Sequence, residues 1–214
     1  MTDRLCLRLP SALLEALQEQ ERKLTTYQPG ATTALGAAAA AKRCDVAMCL
    51  GNAELSSQQD AEVMAKLYQF LSQSEVRDFA LPRVLFGWRF VRYNVGDRYG
   101  QHTDEAYEGR GRADLSFTIV LRAADEGGHL VIGGRGEGKV MHAGDCVIYP
   151  STTVHEVTEV RAGKRVVLVG WIESMVRDAG KRALLADLNY IVENDYEPER
   201  VRAVRNELLR RWCQ

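Results

Sequence analysis

A histidine and an aspartate stand two positions apart in YGQHTDEAYEGRGRADLSFTIVL (Tyr99 to Leu121), just ahead of a run that alternates like a β-strand. On a strand, side chains at i and i+2 project from the same face. His102 and Asp104 would then set an imidazole nitrogen beside a carboxylate oxygen. Two ligands hold a catalytic metal poorly, so a third must come from elsewhere. Two histidines and one carboxylate on one face of an octahedron leave the opposite face open, which suits non-haem Fe(II) and oxygen chemistry. The competing reading is a plain His–Asp hydrogen bond on a strand surface, and the spacing alone does not separate the two.

The chain has four histidines, which narrows the third ligand. His129, in GGHL, opens a strand after a Gly-Gly turn, and His142, in VMHAG, sits at a hairpin tip. Both contexts suit turn or surface residues. His155 begins a strand after YPSTTV, and ten residues on the apolar strand KRVVLVGWIE carries Arg165, with the same parity as Trp171. An arginine on the inward face of such a strand needs an anion to offset its desolvation. His102, Asp104 and His155 would hold the metal, while Arg165 grips a carboxylate bidentately. A ligand with a carboxylate at each end could bridge both sites, and 2-oxoglutarate fits that description.

The elements that must position these groups are short strands. RVLFGWRFVRYNVG, RADLSFTIVLRA, GHLVIG, GKVMHAG, DCVIYP, VHEVTEV and KRVVLVGWIE are rich in Val, Ile, Phe and Tyr and are separated by Gly, Asp or Pro. That density indicates a sandwich or barrel rather than βαβ units, and a jelly roll accommodates about eight strands. Helical patterns flank it: 10–24, a short one over Ala37 to Ala41, Gln58 to Ser72, then SMVRDAGKRALLADLNYIV and ERVRAVRNELLRRWC. The expectation is one domain, 1–214: a helical region 1–80, a jelly-roll core 83–173 and C-terminal helices 174–213. Val201, Val204, Leu208 and Trp212 form an apolar stripe that docks on the same chain or, alternatively, makes a homodimer contact.

Composition is that of a globular protein, with 46% hydrophobic and 27% charged residues. A net charge of −1 offers no electrostatic pull toward nucleic acid or an anionic membrane. No apolar run approaches the roughly 20 residues that span a bilayer, and the charged start MTDRLCLRLP is unlike a signal peptide. A cytoplasmic protein is expected. The five scattered cysteines read as reduced thiols. GGRGEG (133–138) lies between two strands and reads as a hairpin turn rather than a phosphate loop.

FVRYNVGDRYGQHTDEA, RADLSFTIVL, GGHLVI and AGDCVIYPSTTVHEVTEVRAGKRVVLVGWIESMVRD, taken in order, resemble the PKHD-type hydroxylases. These belong to the prolyl 4-hydroxylase-like branch of the Fe(II)- and 2-oxoglutarate-dependent dioxygenases. The resemblance runs from about Arg83 to Asp178. It implies a double-stranded β-helix in which His102, Asp104 and His155 bind Fe(II) and Arg165 pairs with the distal carboxylate of 2-oxoglutarate. Tyr93 matches a tyrosine that hydrogen-bonds the cosubstrate, and Thr118 and Trp171 match neighbouring pocket positions. The implied activity consumes O₂ and 2-oxoglutarate, releases succinate and CO₂, and hydroxylates an amino-acid, peptidyl or other small-molecule C–H bond, with ascorbate as an optional reductant. An aspartate at 104, where a halogenase would carry a small residue, favours hydroxylation.

Two other readings use the same residues. A zinc-type hydrolase would need a general base, for which Glu105 is the local candidate, and leaves Arg165 without a role. A non-catalytic jelly roll would sense iron or 2-oxoglutarate. Departures from the family's pattern, GGHL, WIES, Glu105 and the loop QPGATTALGAAAAAKRCD, fall at turns and pocket edges. Residues 28–45 and Glu105 to Arg112 are accordingly expected to choose the substrate, with Arg110 and Arg112 either meeting an acidic group or forming a solvated turn.

Overall fold

The computed structural model describes residues 4–34, 36–48, 58–108, 111–134, 138, 140–194 and 198–213. Cys49, Arg110 and residues 135–137 of the glycine-rich turn lie outside these. The chain begins with β1 (Leu5–Arg8), α1 (Ser11–Lys23), β2 (Gln28–Pro29), a 3₁₀ turn (Gly30–Thr33), α2 (Gly36–Ala41), β3 (Lys42–Arg43) and β4 (Asp45–Met48). Helices α3 (Gln58–Phe70) and α4 (Ser74–Ala80) lead into β5 (Pro82–Tyr93), β6 (Arg98–His102), β7 (Tyr107–Glu108), β8 (Gly111–Arg112) and β9 (Leu115–Arg122). Then come β10 (Glu126–Gly127), β11 (Leu130–Ile132), β12 (Asp145–Pro150), β13 (His155–Val157), β14 (Val160–Ala162) and β15 (Arg165–Ser174). Helices α5 (Ala179–Glu193) and α6 (Pro198–Trp212) follow.

The large sheet has the order β1-β12-β9-β15-β5-β4-β2, and a smaller one the order β11-β13-β6-β3. Among the described residues, the strand pairings in both sheets are antiparallel. The expected jelly roll with flanking helices is present. Alternation along the central strands divides two apolar layers. Phe90, Phe117, Ile119 and Leu168 face out and are covered by Leu13 and Leu17 of α1 and Leu67 of α3. Val91, Tyr93, Val120, Tyr149 and Val167 face in, where Leu130 and Val157 of the smaller sheet meet them. Coverage on both faces explains why Leu115 to Leu121 are all buried and why that strand reads as a nearly continuous apolar run.

One irregularity decides which side chains enter the interior. Along β5 and β15, Val169 opposes Arg89 but Trp171 opposes Phe86, so β5 gains a residue there. Such a bulge reverses the parity of the strand beyond it. Gly87 sits in it at φ +72, and a Cβ there would lie 2.5 Å from the Trp171 ring. Only glycine meets both conditions. Because of the bulge, Arg89, Val91 and Tyr93 point inward, while Trp88 joins the outer layer.

Elsewhere the structure departs from the expected elements for local reasons. The N-terminal region is not wholly helical: β1 pairs with β12 and extends the large sheet. Val140 to His142, expected within a strand, form none; the His142 N–H donates to Asp145 Oδ2 at 2.8 Å and closes a turn. Helix α5 starts at Ala179 rather than near Ser174, because Asp178 Oδ1 caps it by accepting the Lys181 N–H at 2.8 Å. Leu208 and Trp212 of α6 pack on Leu81, Val176 and Leu185 of the same chain. Among the described residues no helix is long and apolar enough to cross a membrane.

Candidate metal centre

Strands β6 and β13 pair so that His102 and His155 stand directly opposite each other. Their rings lie 4.2 Å apart between centroids. Strand β6 ends at His102, so Asp104 comes from the turn beyond it, held by its N–H donating to Ser151 O at 3.2 Å. Asp104 Oδ1 lies 3.9 Å from His102 Nε2 and 3.7 Å from His155 Nε2. One ligand atom from each of the three residues falls within 4.8 Å of the others.

Every other polar atom of the three side chains is tied back. His102 Nδ1 meets Gly100 O at 2.8 Å and His155 Nδ1 meets Thr153 O at 2.9 Å. A carbonyl only accepts, so each Nδ1 carries a proton and each Nε2 is the ring nitrogen turned toward Asp104. Burial, and then the neighbouring His155, push the His102 imidazolium down to about 4, which leaves the ring neutral near pH 7. Asp104 Oδ2 accepts from the Ser116 hydroxyl and from Trp171 Nε1 at 3.1 Å, and Ser116 is itself bonded to Ser151 at 2.7 Å. The carboxylate is therefore fixed with Oδ1 presented. Two imidazole Nε2 atoms and one carboxylate oxygen, each side chain oriented by a second partner, fit a facial triad for Fe(II).

Behind the triad a cavity runs between the sheets, lined on the large sheet by Arg165, Tyr93, Thr118, Tyr149, Val167 and Val169. Arg165 is 4% exposed and lies 5.1 Å from the Tyr93 ring centroid. Gly128, at φ +63, lets the GGHL turn close over its stem, since a Cβ there would be 3.2 Å from Arg165 Cδ. Burial pulls the Arg165 guanidinium below its usual range, with the Tyr93 and Tyr149 hydroxyls opposing that shift. Burial also pushes Tyr93 and Tyr149 well above the usual phenol range, so both remain neutral donors at pH 7. Thr118 shares a hydrogen bond with Tyr149.

The structure thus brings all seven sequence-selected residues to one cavity: His102, Asp104, His155, Arg165, Tyr93, Thr118 and Trp171. Thr33, Ala34, Ala38 and Lys42 of the 28–45 segment line it too, and the exposed Glu105 stands at its edge. Lys42 Nζ donates to Thr33 Oγ1 at 2.9 Å and lies 4.9 Å from the centroid of Tyr99, whose ring stacks on His102 at 3.5 Å. Arg112 is different. Its guanidinium binds Asp114 and Glu173 and donates to Ser174 O at 2.8 Å, and it does not line the cavity. It is a structural ion pair, neither substrate contact nor solvated turn.

Sequence reasoning passed over Ser116, Tyr149 and Arg89. The first had a signal: Ser116 and Thr118 are the polar residues at alternate positions of LSFTIVL, a polar track on an otherwise apolar strand. Tyr149 looked like a core aromatic, and Arg89 was hidden by the bulge.

Comparison with known proteins places this geometry in context. A model of the 2OG-Fe(II) oxygenase superfamily matches residues 88–173. A PKHD-type hydroxylase of Prochlorococcus marinus strain MIT 9313 is 38% identical over 169 residues, covering 77% of this chain and 74% of that protein. One from strain MIT 9211 is 45% identical over 130 residues, covering 54% of this chain. The chain spans 59% of the length of that relative and 57% of one from strain MIT 9215. Among solved structures, a Pseudomonas putida prolyl-4-hydroxylase aligns over 80% of this chain and 92% of its own, with TM-score 0.58 and 21% identity. A viral collagen prolyl hydroxylase from Paramecium bursaria Chlorella virus-1 aligns over 81% and 97%, with TM-score 0.56 and 13% identity.

Proposed function

We propose, from the premise that the chain belongs to the PKHD-type hydroxylases of the 2OG-Fe(II) oxygenase superfamily, that it hydroxylates an unactivated C–H bond of an amino-acid, peptidyl or related small-molecule substrate. The observation that carries this reading is a triad of oriented donor atoms opening onto a cavity with a buried arginine. A zinc-type hydrolase or a sensor would leave unexplained why the cavity is equipped for both a metal and a dicarboxylate.

In this reading His102 and His155, through Nε2, and Asp104, through Oδ1, hold Fe(II). Arg165 grips the distal carboxylate of 2-oxoglutarate, with Tyr93 donating a hydrogen bond alongside and Tyr149 closing the same end. Bound iron, 2-oxoglutarate and O₂ supply the oxidation: one oxygen atom enters the substrate C–H bond and the other enters succinate as CO₂ leaves. The chain supplies position and dryness. Ser116 and Trp171 keep Asp104 from rotating, so both of its oxygens retain separate tasks. Val91, Val157, Val167 and Val169 wall the cavity with apolar groups that exclude water.

Anaerobic titration of the apo-protein with Fe(II) and then 2-oxoglutarate tests this. A weak visible charge-transfer band should appear only with both present, and succinate should form slowly once air is admitted. Arg165→Ala should abolish the band at ordinary 2-oxoglutarate concentrations, weakening the cosubstrate by about 2–4 kcal/mol, roughly 30- to 1000-fold, while sparing Fe(II). Bound metal with neither band nor succinate would sink the assignment.

A further inference from the structure

The Tyr93 hydroxyl joins Arg165 to a residue outside the cavity. Arg165 is hydrogen-bonded to Tyr93, and the same hydroxyl is hydrogen-bonded to the Cys44 sulfur. Strand register brings the last two together. Strand β4 opens at Asp45 opposite Arg92, so Cys44, the residue before it, stands at the position that faces Tyr93 on β5. Both side chains are buried in the inner apolar layer. Gly30 closes over the sulfur: its N–H donates to Cys44 O at 2.7 Å, and a Cβ at Gly30 would collide with Sγ. Tyr93 lines the cavity and Cys44 does not, so the sulfur acts on a ligand there only through the tyrosine.

The direction of each bond follows from the groups. A guanidinium has only donors, so the Tyr93 oxygen accepts from Arg165 and its O–H remains for Cys44. Burial pushes the Cys44 thiol up to about 11, so the sulfur is a neutral thiol near pH 7. Thiol sulfur is a weak acceptor. A carboxylate is a strong one: bonds to charged groups contribute about 1.5–3 kcal/mol, against about 1 kcal/mol for neutral pairs. One O–H does not serve both. The Tyr93 proton therefore sits in a weak bond while the cavity holds no anion, and moves to a strong one when a carboxylate lies beside Arg165.

We propose that Cys44 is a positioning residue for the cosubstrate: its sulfur holds the Tyr93 O–H in the empty site and releases it to the carboxylate that Arg165 receives. This rests on the function proposed above and deepens it, giving a role to a side chain behind the cavity wall. The bond to sulfur is broken when 2-oxoglutarate binds, so removing the sulfur favours binding wherever the Tyr93 hydroxyl is present. The competing role is packing alone, with Cys44 only filling the space between Gly30 and Tyr93.

The experiment is calorimetric titration of the anaerobic, Fe(II)-loaded protein with 2-oxoglutarate, in a cycle of wild type, Cys44→Ala, Tyr93→Phe and the double variant. Cys44→Ala made on the wild type should favour 2-oxoglutarate by about fivefold relative to the same substitution made on Tyr93→Phe, the size of one neutral hydrogen bond. Lost packing acts in both backgrounds and cancels from that ratio. A ratio of one, or one in the opposite direction, assigns Cys44 to packing and overturns the inference. A second measurement leaves Cys44 in place. The S–H stretching band responds to hydrogen bonding at sulfur, so infrared difference spectra of the wild type with and without 2-oxoglutarate should show one thiol band displaced. Tyr93→Phe at saturating cosubstrate should lack that displacement. An S–H region unchanged by 2-oxoglutarate in the wild type overturns the inference, even where Cys44→Ala does not fold. A wild type that binds Fe(II) but no 2-oxoglutarate sinks the function itself, and does so before any variant is compared.

Discussion

Arg165 and Arg89 occupy the same inner face of one sheet, four register positions apart, and their surroundings differ in kind. Arg165 is enclosed beside Tyr93, Tyr149 and Cys44, whose hydroxyls and thiol surround it from several strands. Arg89 stacks on the Trp171 indole, and the same cavity is lined by Lys42, Thr33 and Glu105. The enclosed end has the form expected for a constant ligand: several hydrogen-bonding partners, fixed by central strands. The edge is built from a bulge, a 3₁₀ turn and a six-residue helix, elements that can change without disturbing the sheets. In the function proposed above, the cosubstrate would take the enclosed end, and the variable edge elements would be left to face the substrate.

The sharpest break in this comparison is Asp104→Ala, which removes the group joining both ends. Fe(II) affinity should fall by more than the roughly 100-fold ceiling typical of outer-shell partners, with the circular dichroism spectrum retained. A folded Asp104→Ala protein that binds Fe(II) as tightly as wild type would dismantle the triad assignment. Next in size are the partners of its other oxygen. Ser116→Ala and Trp171→Phe should each weaken Fe(II) by about 10- to 100-fold while leaving Arg165 and Tyr93 in place. In each variant, 2-oxoglutarate affinity measured with saturating metal should change far less than metal affinity. Equal losses in both would mean that the two ends are not independent.

Gly87 tests the edge alone. Gly87→Ala demands φ +72 of an alanine and drives a methyl into the Trp171 ring. The expected cost is about 1–2 kcal/mol of stability, read as a lower denaturation midpoint, with a shift in tryptophan fluorescence. A neutral result would show that the bulge does not set the Arg89–Trp171 contact.

Legibility in the sequence follows the same division. His102, Asp104, His155 and Arg165 could be chosen because each lies on or next to a regular strand, where parity assigns a face. Arg165 and Trp171 keep that parity along ten residues of β15. Arg89 breaks it. Counted back from Tyr93 it shares the inward parity, but counted from Phe86 it does not, and only the Gly87 bulge reconciles the two. The isolated glycine in RVLFGWRFVRY was the available signal. At the N-terminus, LCLR is a four-residue edge strand whose alternation is too short to stand out, and it acquires its conformation from β12. Helix α4 is one short segment of seven residues, fixed by burial of Val76 and Ala80 rather than by a long periodic pattern.

The smallest expected effect probes the enclosed end. Thr118 shares a hydrogen bond with Tyr149, and Tyr149 lies among the groups around Arg165. Thr118→Val keeps the β-branched shape that the strand packs and deletes only the hydroxyl. If Thr118 acts solely through Tyr149, the loss is one neutral hydrogen bond, about 1 kcal/mol, or roughly fivefold in 2-oxoglutarate affinity. Fe(II) affinity should not move, because no atom of the triad bonds to Thr118 among the described contacts. Tyr149→Phe should give a similar loss, and the double variant should lose little more than either single one, since both delete the same bond. A loss in Thr118→Val well beyond tenfold, additive with Tyr149→Phe, would place the threonine hydroxyl directly on the cosubstrate. The enclosed end would then hold its ligand through the central strand β9 as well as through Arg165 on β15.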